Sequence, residues 1–296
     1  LVRCVDDTDY AARTHEEART NGDTIERRVE PTDDEALLFR HVFRETGDGR
    51  GHRWTLTVDY ASDPSHDAIV ASAEFVADDG RQYDVFTAAD IALTSDTRQD
   101  RGLTYGDWGN YHLLARSPQG YTGEAEGRQL VDENGEAYSV AMALVAANRF
   151  DWATVGVGGG DRLDSLYTDG ELPDPVSSID GENVVLVGRI GTGTQVTEEV
   201  ALGFARRADT AAPVGEADGA PARGYETVRR ASTDSWRAFL TDQHLPEAAA
   251  DDEALATQYR YALLTLPSAE DKTSPDACIA SPSLLRRVAR PATSSY

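Results

Sequence analysis

The sequence predicts an antiparallel β-sandwich followed by helices, and three observations carry that reading. The stretch "WTLTVDY" alternates, with Trp54, Leu56, Val58 and Tyr60 on one face and Thr55, Thr57 and Asp59 on the other. Short apolar runs recur between turn signals such as Asp79-Gly80 and Asn134-Gly135. Beyond about Gly224 the apolar spacing changes from every second residue to every third or fourth. Many strands, a linker and then helices make an all-β domain attached to the beginning of an α domain.

Along the chain, "ALLFRHVF" is a first apolar run between acidic and glycine-rich stretches. "IVASAEFVADDGRQYDVFTA" reads as two strands around Asp79-Gly80, and "RQLVDENGEAYSVAMALVA" repeats the device around Asn134-Gly135. "NVVLVGRI" is a further strand candidate. Ala208 to Gly224, rich in Ala, Pro, Gly and Asp, reads as a linker. Tyr225, Val228, Ser232, Trp236, Phe239 and Leu240 then recur at helical spacing, until Leu245-Pro246 breaks the chain. In "DDEALATQYRYALLTL" the leading acids suit a helix N-terminus, and Leu255, Tyr259, Ala262, Leu263 and Leu266 form one stripe.

Composition narrows the partners. Asp plus Glu number 52 against 28 Lys plus Arg, a formal charge of −24 over 296 residues. Such a surface repels phosphate backbones and anionic membranes, which excludes nucleic acid as an expected partner. No apolar run approaches the roughly 20 residues of a membrane span. Lys272 is the one lysine; acid-rich sequences with arginine as the base resemble proteins from salt-loving archaea. A salt-rich cytosol is the expected compartment, with secretion the alternative because the chain does not open on Met.

Most motifs reduce to structure. "VGVGGGDR" and "VGRIGTGT" fit neither the dinucleotide fingerprint nor a P-loop, and read as turns or bulges. Cys4 and Cys278 are too few for a disulfide framework, and His15, His41, His52, His66, His112 and His244 lack ligand spacing. No metal or cofactor is expected. No G-x-S-x-G is present, and the abundant carboxylates offer no obvious acid–base pair. "GLTYGDWGNYHLLARSP" stands apart, because Tyr105, Trp108 and Tyr111 lie among small and polar residues. These rings either stack on sugars or pack the edge of the sandwich; the residues alone favour packing.

The stretch Glu270-Asp271-Lys272-Thr273, followed by Pro275, Ala277 and Ile279 to Ser283, resembles the first block of microbial glucoamylases of glycoside hydrolase family 15. Asp276 stands where that family usually has glycine. The resemblance implies a mainly β chain, in which an antiparallel super-β-sandwich precedes a linker helix and the first helix of an (α/α)6 barrel that is otherwise absent. The implied divisions are 1–207 for the sandwich, 208–246 for linker and linker helix, 247–283 for the start of the barrel, and 284–296 for an out-of-frame tail. That tail holds three arginines and no acid, a sharp reversal of the composition before it.

By family, the implied activity is exo-acting, inverting release of glucose from α-1,4-glucans, with α-1,6-glucodextranase or trehalase as alternatives. Such chemistry needs two carboxyl groups about 6.5–9.5 Å apart, borne by the barrel. No catalytic residue is therefore carried over, and the chain is expected to be the accessory part, inactive alone. A non-catalytic carbohydrate-binding or structural sandwich is the rival reading. Candidate contacts for an α-glucan or maltooligosaccharide are Ser281, Pro282 and Ser283 by resemblance, and Tyr105, Trp108 and Tyr111 from the residues themselves. The helices after the linker, with Trp236, Phe239, Leu255 and Leu263, are the expected route to self-association.

Overall fold

The computed structural model describes residues 1–7, 9–14, 24–91, 93, 100–107, 110–117, 138–158, 166, 172–181, 183–206, 211–219 and 221–269. The chain divides into two compact units, Leu1–Thr32 with Leu38–Ser232, and Asp33–Leu37 with the residues from Thr233 onward.

The first unit is the antiparallel sandwich. Its strands, in chain order, are β1 (Val2–Cys4), β2 (Ala11–Ala12), β3 (Ile25–Pro31), β4 (Phe39–Glu45), β5 (Trp54–Ser62), β6 (Ala68–Ala77) and β7 (Tyr83–Ile91). They continue with β8 (Arg101–Asp107), β9 (Asn110–Ser117), β10 (Val140–Ala146), β11 (Ala153–Val157), β12 (Ser178–Asp180), β13 (Val184–Gly193) and β14 (Gln195–Arg206). A five-stranded sheet has the order β11-β13-β7-β1-β2, and a nine-stranded sheet the order β12-β8-β9-β10-β14-β6-β5-β4-β3.

The alternation read in "WTLTVDY" is the alternation observed. Trp54 and Leu56 are buried between the sheets with Phe75, Tyr83 and Val85, and Val58 packs against them. A second cluster joins Leu113, Met142 and Leu144 of the large sheet to Val155, Val184 and Leu186 of the small one. The outer face of the small sheet, with Phe86, Val185 and Val187, is covered by Leu166.

The turn read at Asp79-Gly80 does not close a hairpin. β6 belongs to the large sheet and β7 to the small one, so the turn at Gly80 (φ +76°) crosses the sandwich. β13 and β14 likewise lie in different sheets. The register of β13 against β7 shifts between Arg189 and Gly191, so the Gly-rich "VGRIGTGT" holds a bulge. The Asn134-Gly135 turn lies outside the described residues.

Within the stretch read as a linker, Ala211–Gly219 forms a helix, α1. Propensity does not explain it, since the segment contains Pro213 and Gly215. Packing does: an added Cβ at Gly203 of β14 would come within 2.3 Å of the Ala217 nitrogen and 2.5 Å of the Pro213 oxygen. Glycine at 203 therefore lets the helix backbone rest on the sheet. Glu216 accepts the Asp67 backbone N–H at 2.9 Å, tying the helix to the start of β6.

Helix α2 (Tyr225–Thr241) contributes Tyr225, Val228 and Ser232 to the first unit, all buried. The second unit holds the rest of α2, then α3 (Glu247–Ala250) and α4 (Glu253–Thr265). Asp252 caps α4 by accepting the Leu255 N–H at 3.1 Å. Within this unit Arg237 pairs with Asp33 and Glu35 at 3.1 and 3.2 Å, and the Tyr261 hydroxyl donates to the Asp33 carbonyl at 2.7 Å. The buried residues of α4 are Ala256 and Leu264, not the stripe through Leu255 and Leu266, which are 41% and 64% exposed. The sequence pairs apolar neighbours at 255–256 and 263–264, so two stripes one residue apart compete.

Candidate functional site

The hairpin of β8 and β9 carries the aromatic residues singled out in the sequence. Its ladder sets Tyr105 opposite His112 and Gly106 opposite Tyr111. Successive strand residues point to opposite faces, so Tyr105 and Tyr111 share no surface. Tyr111 packs on the inter-sheet core and bridges to Phe150. Tyr105 is 55% exposed, its ring 6.3 Å from that of His112 in a stacked orientation. Trp108 lies outside the described residues, as do Ser281, Pro282 and Ser283.

Polar groups continue outward from Tyr105. Arg149 Nη1 lies 3.2 Å from His112 Nδ1 and donates to Asp218 of α1 at 2.5 Å. Burial and the adjacent guanidinium push the His112 imidazole below its ordinary value, against a smaller opposing pull from Asp218. His112 is thus neutral near pH 7 and accepts from Arg149. Arg149 itself adopts φ +65°, uncommon for a bulky residue, in the turn between β10 and β11. An exposed ring linked through His112 to a charged, hydrogen-bonding pair is an arrangement that can cover apolar sugar C–H surface and bind hydroxyls. Sequence reasoning found Tyr105 but missed Arg149 and Asp218, which lie 44 and 113 residues further on and announce nothing by spacing.

Three buried acids of the sandwich, Asp63, Glu45 and Asp84, are held in hydrogen-bonded knots. Asp63, fully buried, receives Arg223, the Ser65 N–H (2.8 Å) and His66 (3.0 Å). Burial pushes its carboxyl up, but these hydrogen bonds outweigh it and hold Asp63 below the usual carboxylate value. Glu45 accepts from Tyr10 and Thr24, at 3.1 and 2.8 Å. Asp84 is held by Arg3, Arg189 and Thr192. Such closed knots organise the fold. Among the described residues no group of His, Cys, Asp and Glu is placed to hold a metal ion. No helix among them is long and apolar enough to cross a membrane.

Among the described residues a cavity lies within each unit. In the second unit, about 430 Å³ lies between α2 and α4, lined by Glu35, Arg237, Leu240, Tyr259 and Leu263 among others. In the sandwich, a cleft of about 650 Å³ opens between the sheets, flanked by His41, Val58 and Tyr60 on one side and Thr87, Ala89 and Ile190 on the other.

Residues 3–241 match the protein family described as Glucodextranase, domain N. The chain belongs to that family. The match runs through the sandwich, α1 and all of α2. Among solved structures, a bacterial glucoamylase complexed with acarbose superposes with a TM-score of 0.67 at 17% identity, over 92% of this chain. The aligned part is 35% of that glucoamylase, so the domain N chain spans about a third of its length. At that identity the likeness establishes the shared fold. No curated protein matches the chain.

Proposed function

We propose that this domain N chain is the accessory amino-terminal part of an exo-acting, inverting glycoside hydrolase that releases glucose from α-1,4-glucan ends. The family match across residues 3–241 supports this most strongly. The engagement of Glu45, Asp63 and Asp84 in structural hydrogen bonds is consistent with chemistry located on a separate helical barrel. In this reading residues 208–246 lead from the sandwich, and 247–283 begin the barrel. The isolated chain then releases no glucose from maltotriose, dextran or trehalose. Supplying a family 15 catalytic barrel as a covalent carboxyl-terminal extension restores release, and the preferred substrate identifies the linkage. Turnover on the order of one per second by the pure isolated chain would overturn the proposal.

A second role is favoured by one observation, the exposed Tyr105 stacked on His112, which in turn meets Arg149 and its partner Asp218. We infer a shallow maltooligosaccharide contact there, of millimolar affinity or about −4 kcal/mol. Isothermal titration with maltotriose tests it: loss of binding in folded Tyr105→Ala is expected, and unchanged binding refutes the site. The acid-rich, arginine-dominated composition further supports a protein that works in a salt-rich cytosol.

A further inference from the structure

We propose that His112 is a proton-operated latch on helix α1, holding the helix to the sandwich while the imidazole is neutral and letting it open once the ring is charged. The decisive contact is between Arg149 Nη1 and His112 Nδ1, 3.2 Å apart. A guanidinium carries only donors, so this contact forms only while Nδ1 keeps its lone pair. The same Nη1 donates to Asp218 at 2.5 Å, and Nη2 lies 3.4 Å from the second oxygen of that carboxylate. One guanidinium thus joins β9 to α1. A proton on Nδ1 sets two donors and two positive charges face to face.

Helix α1 is poised to register that loss. It has 9 residues, contains Pro213 and Gly215, and is too short to persist without tertiary support. It is tied by Asp218 to Arg149, by Glu216 to the Asp67 backbone N–H at 2.9 Å, and by the Gly219 carbonyl to Arg223 at 3.2 Å. Beneath it Ala217 is buried against Gly203 of β14. Arg223 is itself anchored on Asp63, and Tyr225 on Glu199, so opening stays local to α1.

Among the described residues, the charged or titratable groups that face His112 come from three elements. They are Arg149 from the β10–β11 turn, Asp218 from α1, and Tyr105 from β8, whose ring stacks on the imidazole. Burial and then Arg149 disfavour the charged ring, and Asp218 favours it by less. The contribution of the latch to stability is therefore complete above about pH 6.5, the ordinary histidine value. It is lost as pH falls from there through the lower folded value.

The test follows hydrogen exchange of the Ala217 amide in the full chain, corrected for the intrinsic effect of pH, at pH 7.5 and at pH 5, where Asp63 stays ionised. Protection is expected to drop about tenfold on acidification, the scale of one lost charge-assisted hydrogen bond. In His112→Gln the side-chain oxygen accepts from Arg149 at either pH, and the drop should be lost. An equal drop in folded His112→Gln overturns the proposal, as does a parent whose Ala217 protection is the same at both pH values. The parent also suffices alone: the His112 Nδ1 resonance and Ala217 protection should titrate together, and separate midpoints overturn the latch.

Discussion

Glu199 and Tyr225 are joined by a hydrogen bond of 2.8 Å, from the Tyr225 backbone N–H to the Glu199 carboxylate. Glu199 stands on β14 and Tyr225 opens α2, so a sheet side chain satisfies one of the orphan donors at the helix start. The negative charge also suits the helix N-terminus. Glu199→Ala should cost about 1–2 kcal/mol in urea unfolding of the sandwich, in the range of a lost cap. Glu199→Gln, which keeps the acceptor, should recover most of that. Equal losses for both would assign the effect to packing.

Gly203→Ala is expected to destabilise by about 1–3 kcal/mol, because the new methyl overlaps backbone atoms of α1 that have nowhere to move. Circular dichroism melts would register it. Gly215→Ala on the same helix meets nothing within 4 Å and should be neutral or mildly stabilising. A reversed order would mean that α1 does not rest on β14.

Acid should weaken the Asp63 knot. The folded carboxyl lies below its unfolded value, so its stabilising contribution is present above about pH 4 and is lost as pH falls through the folded value. Asp63→Asn removes that dependence and should flatten the acid limb of stability against pH. An unchanged acid limb in the variant would place the dependence elsewhere.

Tyr105 and Tyr111 should separate cleanly. Tyr111→Ala leaves a hole at the core and should cost about 1–3 kcal/mol; Tyr105→Ala should stay within about 0.5 kcal/mol of the parent. Chemical denaturation of both proteins is sufficient. A large loss from Tyr105→Ala would make its ring a packing element.

Salt should matter to a chain carrying −24. Screening shortens the Debye length from about 10 Å at 0.1 M to about 3 Å at 1 M. The thermal midpoint in molar KCl is expected to exceed that in dilute buffer. The opposite order would speak against adaptation to high salt.

The sandwich was legible because burial writes itself as alternation: Trp54 and Leu56 sink, and Thr55 and Thr57 face outward. Tyr225, Val228 and Ser232 were legible for the matching reason at helical period. Which sheet each strand joins was not, since a turn at Gly80 looks alike whether it closes a hairpin or crosses a core. Helix α1 was hidden because tertiary contact with Gly203 holds it against weak propensity. The candidate site was half legible. Exposed aromatics stand out in a sequence, whereas Arg149 and Asp218 gain meaning only once folding brings them beside His112.

β14 lies between β10 and β6, so it alone joins the β3–β6 meander to the β8–β10 meander of the large sheet. Among the described strands it is also the last in the chain. Until residues 195–206 leave the ribosome, both meanders present bare edges at β6 and β10. The nascent chain must then wait, open to chaperones and to wrong pairing, for its closing piece. Pauses in translation before that strand would lengthen the wait, and pauses after it would cost little.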